Sequence, residues 1–292
     1  MSKLVAGVEL GGTKCICVLA SGPDDIRDER RIETRSPAET LPAIAAVLAE
    51  WMDAQAIGLA SFGPVDLNER SDHYGRIVNT PKPGWNGADI VGLARETGLP
   101  FGFDTDVDGA ALAERRWGAA QGLDSFAYVT VGTGIGVGVV VRGKTVRGLG
   151  HAEMGHLRIP RLPEDDFTGA CPYHRDCVEG LAAGPAIAAR AGKPGESLAP
   201  DDPAWEPVVA ALAAMLHNLV FTAAPERILI GGGVFGGQPP LLPRLRAALV
   251  ASLAGYGAAP TIAAGIDDFL QAPALGAQAG PMGAIALGLA AL

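Results

Sequence analysis

The chain has 292 residues, enough for two domains of ordinary size, and 48% of them are apolar, enough for a large core. Its 23 basic and 32 acidic residues leave a net charge of −9. That balance excludes a nucleic-acid backbone as partner, because phosphates must be neutralised by a surplus of Lys and Arg. Residues 1–10 carry one Lys and no long apolar run, unlike a signal peptide. The longest apolar stretch, 126–141, is interrupted by Gly and Thr and is too short to span a bilayer. A cytoplasmic protein with no membrane partner is expected, and there the four Cys stay reduced and favour metal over disulfides.

Residues 4–10 read as a buried strand and 15–19 as the next, joined by the turn Gly11-Gly12-Thr13-Lys14. Residues 41–52 read as a helix with Leu41, Ile44, Val47, Leu48, Trp51 and Met52 on one face. A short apolar strand at 57–62 ends at Gly63-Pro64, and 108–117 reads as an Ala- and Glu-rich helix. The opening pattern then recurs: strand 126–131, a Gly-rich turn at 132–136, and a returning strand 137–141. Such recurrence predicts a duplicated α/β unit. Amphipathic helices follow at 208–221 and 241–253, and a strand at 226–230 runs into Gly231-Gly232-Gly233. The last helix, 282–292, is apolar almost all round and is expected to be buried. Segments 161–169 and 192–203 are loops.

Glycine lets a backbone approach an anion closely and turn its N–H groups toward it, and Thr hydroxyls and Lys14 add donors. One such turn would read as an ordinary tight hairpin. Two of them, with a triple glycine at a strand end, suit two clamps on phosphates and a flat surface for adenosine. The single-loop pattern G-x-x-x-x-G-K-[ST] does not occur. Cys171-x2-His174-x2-Cys177, with His156 upstream, makes a Cys2His2 set suited to a closed tetrahedral Zn²⁺ site. Asp106 precedes a predicted helix, where the positive helix end would keep it ionised; by itself it also reads as an ordinary N-cap. Cys15 and Cys17 share one strand face and read as buried small residues, Trp85 and Trp117 as packing. His73, His151 and His217 are given no role.

The segments Gly7-Val-Glu-Leu-Gly-Gly-Thr-Lys14, Phe62-Gly-Pro-Val-Asp66, Asn79-Thr-Pro-Lys-Pro-Gly-Trp85, Asp104-Thr-Asp-Val-Asp108, Val131-Gly-Thr-Gly-Ile-Gly136, Glu153-Met-Gly-His156, Cys171-Pro-Tyr-His-Arg-Asp-Cys177 and Ile230-Gly-Gly-Gly233 span nearly the whole chain. In kind and order the chain resembles the ROK family of sugar kinases, within the actin-like ATPase superfamily, and its fructokinase branch in particular. The resemblance implies two RNase-H-like α/β domains flanking a cleft, with a structural zinc loop. The first domain is expected at residues 1–106 plus 280–292 and the second at 107–279. It implies ATP-dependent phosphorylation of a hexose, fructose first, with glucose, mannose and N-acylmannosamine as alternatives.

By the same resemblance Asp106 is the base that deprotonates the sugar hydroxyl. Asn79, Asp108, Glu153, His156 and Glu179 hold the sugar, with His156 serving zinc and sugar through one ring nitrogen each. Asp108 stands where the pattern has Asn, which removes a donor and brings a charge expected to raise the pKa of Asp106. ATP and Mg²⁺ are expected at Glu9, Gly11, Gly12, Thr13, Lys14, Thr133, Gly134, Gly136, Gly231, Gly232 and Gly233. Zinc is expected on His156, Cys171, His174 and Cys177. A homodimer is also implied. Two rival readings remain. A sugar-sensing repressor of the same family would carry a DNA-binding segment, for which a phosphate turn beginning at residue 11 leaves no room. An actin-like ATPase acting on protein partners would need neither the zinc set nor the sugar-binding acids.

Overall fold

Each of the two hairpins read from the sequence seeds a five-stranded sheet. The computed structural model describes residues 3–292. Its first elements are β1 (Val5–Leu10), β2 (Lys14–Gly22), β3 (Asp25–Glu33), α1 (Pro37–Glu50), β4 (Ala56–Ser61), α2 (Gly92–Arg95), β5 (Phe101–Thr105) and α3 (Asp106–Trp117). Next come β6 (Phe126–Val131), β7 (Ile135–Val141), β8 (Lys144–Thr145), α4 (Val178–Ala182), α5 (Gly184–Ala191) and α6 (Trp205–Ala223). The chain ends with β9 (Arg227–Gly231), α7 (Gly233–Gly237), α8 (Leu241–Leu253), α9 (Ala259–Ala264), α10 (Ile266–Phe269), β10 (Leu270–Gln271) and α11 (Ala279–Ala290).

The strand orders are β3-β2-β1-β4-β5 and β8-β7-β6-β9-β10. In the first sheet β1 and β2 form an antiparallel hairpin, while β4 and β5 add in parallel to β1. In the second sheet β6 and β7 form the hairpin, and β9 and β10 add in parallel to β6. The expected duplication is thus present as a repeated mixed α/β sheet. Parallel strands place their carboxyl ends at one edge, the edge where α/β sheets bind ligands.

Two compact units result. One runs to Gly122 and takes in Thr145–Ala152 and Ala274–Leu292; the other comprises Leu123–Lys144 and Glu153–Pro273. The boundary expected at residue 106 falls at the start of α3, and α3 groups with the first unit because it packs on α11. Glu114 of α3, fully buried, accepts the N–H groups of Ala274 (3.1 Å) and Leu275 (2.8 Å), which leads the chain into α11. α11 then lies against β1, β4 and β5. Gly58 makes that approach possible, since a Cβ there would sit 1.7 Å from the Ala284 carbonyl oxygen. Met1 and Ser2, part of the expected first domain, lie outside the described residues.

Several elements differ from the sequence reading. β3 was not expected: its Asp-Ile-Arg-Asp-Glu-Arg-Arg-Ile-Glu run lacks apolar alternation and is set by pairing with β2. α1 starts at Pro37 rather than 41, closed by Ser36, whose N–H donates to Glu39 Oε2 at 3.3 Å. Its buried face is Thr40, Ile44 and Leu48, and Met52 lies beyond the helix, 86% exposed. α6 is the one helix among the described residues long and apolar enough to cross a membrane, and half of it is buried inside the second unit, against α8 and α4.

Candidate active site

The carboxyl edge of the first sheet gathers three chain segments, because Leu10, Ser61 and Thr105 are in register across β1, β4 and β5. After Leu10 comes the first glycine turn. Gly11 N–H donates to Lys14 O at 3.1 Å, Thr34 Oγ1 donates to Gly11 O at 2.8 Å, and Thr34 N–H donates to Thr13 O at 2.9 Å. Lys82 Nζ donates to Gly12 O at 2.6 Å. Each carbonyl of the turn is covered by a donor, so what the turn can offer an anion is N–H and hydroxyl groups.

After Thr105 comes α3. Its N-cap is Thr105, whose Oγ1 accepts the Asp108 N–H at 3.1 Å, and Asp106 is the first helical residue rather than the cap. Asp106 Oδ1 accepts the Val107 N–H at 2.9 Å. The sequence reading has the helix end keep this carboxylate ionised at neutral pH. Burial pushes Asp106 up to about 6, against the lowering effect of the Val107 bond, so it is still largely ionised at neutral pH. Nor does Asp108 cause that rise. Burial, and then the charge of Asp104, push Asp108 itself up to about 8. Burial and Asp104 thus both favour the protonated form of Asp108, whose side chain bonds Asp104. Asp104, fully buried, is held by Arg147, and Thr145 Oγ1 lies 3.4 Å from its Oδ2.

Glu9, on β1, is pushed up to about 7, first by burial and then by the Asp106 charge, with Lys14 pulling the other way. It fits against α11 because Gly280 has no side chain: a Cβ there would come within 2.0 Å of Glu9 Oε1. Two acids at one strand edge, one raising the pKa of the other, suit a divalent cation arriving with a nucleotide. Asn79 adopts φ 52°, a left-handed conformation Asn tolerates, and its N–H donates to Asn86 Oδ1 at 2.7 Å.

In the second unit the register Thr130 to Gly231 sets the other two glycine stretches side by side at the carboxyl ends of β6 and β9. Gly232 has φ 92°, and a Cβ there would lie 2.5 Å from Val131 O, so only Gly fits. Gly132 N–H donates to Gly134 O at 2.9 Å and Gly184 N–H to Gly132 O at 2.7 Å. These turns open onto a cavity of about 530 Å³ lined also by Ile187, Ala188, Trp205 and Gln238. Thr133, Gly134, Gly231 and Gly233 share this corner, and Gly136 lies within β7.

The four residues expected to hold zinc lie together. One donor atom from each of His156, Cys171, His174 and Cys177 lies within 4.8 Å of the others. His156 Nδ1 is 3.8 Å from Cys171 Sγ and 3.5 Å from Cys177 Sγ, and His174 Nδ1 is 3.9 Å from Cys171 Sγ. These separations are close to the edges of a tetrahedron with metal bonds of about 2.0–2.3 Å, so the four residues are compatible with a zinc site. With Nδ1 turned to the sulfurs, His156 has Nε2 for a second contact. The adjoining loop is fastened by Arg190, which bonds Asp165 at 2.5 Å and 3.1 Å and stacks over Phe167 at 4.5 Å. Glu153 caps a 3₁₀ turn, Met154–His156. Glu179, in the first turn of α4, accepts the Ile135 N–H at 3.0 Å, so it braces the second glycine turn.

Lys82 and His151 were not picked out from the sequence. His151 Nε2 accepts the Val65 N–H at 3.1 Å, and burial lowers its pKa. Neither carries a spacing that reveals its partner, although the prolines flanking Lys82 mark a stiff segment. Cys15, Cys17 and Trp85 are buried packing groups as read.

A doubled α/β sheet with glycine turns at matching strand ends defines the actin-like class of nucleotide-binding proteins. Within that class the chain belongs to the ROK family, whose model matches residues 5–291. It is 39% identical to a fructokinase of Pediococcus pentosaceus over 290 residues, 99% of each chain. A fructokinase of Zymomonas mobilis is 42% identical over 299 residues, 99% of this chain and 97% of that one. Among solved structures, a ROK family glucokinase from Streptomyces griseus in complex with glucose and AMPPNP is 25% identical, with a TM-score of 0.76, covering 98% of this chain and 99% of that one.

Proposed function

We propose that this protein is an ATP-dependent fructokinase. The observation that carries the chemistry is Asp106: a half-buried carboxyl at the start of α3, on the same sheet edge as the first glycine turn. The choice of fructose rests on the fructokinases to which the chain is similar over nearly its full length. In the reaction a sugar hydroxyl oxygen attacks the terminal phosphorus of ATP, the bond to the bridging oxygen breaks, and ADP leaves. The hydroxyl proton passes to the Asp106 carboxylate. Because the transition state is loose, the base mainly orients the hydroxyl and takes its proton late.

Asn79, Asp108, Glu153, His156 and Glu179 are read as the groups that hold the sugar. The turns at 11–14 and 132–136, with 231–233, hold the nucleotide. Magnesium would come with ATP near Glu9 and supply charge neutralisation. Zinc on His156, Cys171, His174 and Cys177 would be structural, since protein ligands fill all four positions. The same reading makes the protein a cytoplasmic homodimer, on the pattern of the family.

A coupled ADP-release assay with fructose, glucose, mannose and N-acetylmannosamine tests this. Fructose is expected to give the highest kcat/KM. Another hexose in first place would move the protein to a sister activity of the family. Sugar binding without turnover of any of them would support the sensor.

A further inference from the structure

We propose that Lys82 belongs to the phosphoryl-transfer apparatus, its ammonium contacting the phosphate end of the nucleotide at the first glycine turn. The proposal rests on the kinase reading above. Its footing is the bond from Lys82 Nζ to Gly12 O, 2.6 Å long and joining residues 70 apart in sequence. Gly12 is at the tip of the turn, where Thr34 bonds the neighbouring carbonyls of Gly11 and Thr13. An ammonium has three N–H donors, so two remain after Gly12 for phosphate oxygens.

Lys82 is presented on a stiff segment. Pro81 and Pro83 flank it, and its own N–H donates to Thr80 Oγ1 at 3.3 Å. The segment is pinned at its far end by Trp85, which is fully buried and donates from Nε1 to Arg35 O at 2.8 Å. Asn79, read as a sugar ligand, is three residues away and closed onto Asn86. The loop therefore ties a sugar contact to a phosphate contact.

Charge gives the second argument. Glu9 and Asp106 already place two acids at this edge, and Lys14 acts on Glu9. A terminal phosphate arriving there meets repulsion unless a cation faces it. A cation held beforehand at the place where charge builds costs no reorganisation during transfer.

Three variants decide the matter: Lys82→Met, Lys82→Gln and Lys82→Arg, each with its unfolding midpoint and its kcat and KM for fructose and ATP. Gln keeps a donor for Gly12 O but no charge, so it separates capping of the turn from action on phosphate. Met and Gln are each expected to lower kcat about 100-fold, the order seen when a charge-stabilising donor is removed. KM for fructose should stay within about twofold, and Arg should recover kcat to within about tenfold. Wild-type kcat in the Gln variant overturns the proposal, because a neutral cap then suffices. Equal losses in Arg and Gln also overturn it. If Met does not fold, the Gln and Arg pair decides alone. Failure of the wild-type protein to phosphorylate any sugar would instead overturn the kinase reading.

Discussion

As the proposed base, Asp106 has to be ionised at neutral pH while sitting largely out of water. Burial raises its pKa; the Val107 N–H on its Oδ1 pulls the other way, and the balance falls at about 6. A base works only without its proton, so kcat/KM should fall as pH drops through about 6 and level off above it. Asp106→Asn should lower kcat by about 1000-fold or more, within the range general base catalysis supplies, with ADP affinity kept. A near-normal rate in that variant would remove Asp106 from the role. Asp108 makes a contrasting case. Its carboxyl is pushed from an ordinary 3.8 to about 8, so the folded chain holds a proton there that the unfolded chain releases. Stability attached to that proton is full below the unfolded value and drains away as pH rises toward 8. Asp108→Asn removes the penalty. Its unfolding midpoint should exceed wild type by a few degrees at pH 8 and by little at pH 5, read by calorimetry at both.

Elements were legible where chemistry left a pattern within a short stretch. The strand, turn and strand at 4–19 and at 126–141 announced themselves because short apolar runs and glycine lie next to each other. The zinc loop did so because Cys-x2-His-x2-Cys has few other uses. β3 was invisible, since a charged edge strand is defined by its partner and not by its own hydropathy. The Lys82 bond was invisible for a related reason: it joins residues 70 apart, and nothing local to either reports it. That α11 packs on the first sheet came from the resemblance, not from its own uniformly apolar sequence. The zinc loop also yields the prediction proper to this scale. Metal analysis of purified protein should find about one zinc per chain. Cys177→Ser should lose that zinc and lower the unfolding midpoint, because metal binding to a folded site adds its energy to folding. Protein that binds no zinc, or a serine variant as stable as wild type, would remove the structural metal.

At the scale of the whole molecule, the groups proposed for catalysis are divided between two units, and the division makes a kinetic signature. Asn79, proposed to contact the sugar, and Asp106, proposed as the base, belong to the first unit; the cavity of about 530 Å³ beside Gly132, Thr133 and Gly233 belongs to the second. If that cavity takes the adenosine, filling it should weaken ATP and spare the sugar. Ala188→Phe adds a ring to its wall and should raise KM for ATP at least about tenfold, with KM for fructose within about twofold. The complementary variant is Asn79→Gly. Glycine accepts the φ of 52° that Asn79 adopts, so the backbone is kept and only the amide is removed. Loss of one hydrogen bond to a neutral hydroxyl should raise KM for fructose up to about tenfold and leave KM for ATP nearly unchanged. Initial-rate measurements varying each substrate separate the two effects. Should Ala188→Phe raise both constants together, the cavity would not be the nucleotide's alone, and adenosine would have to be sought elsewhere on the second sheet's carboxyl edge.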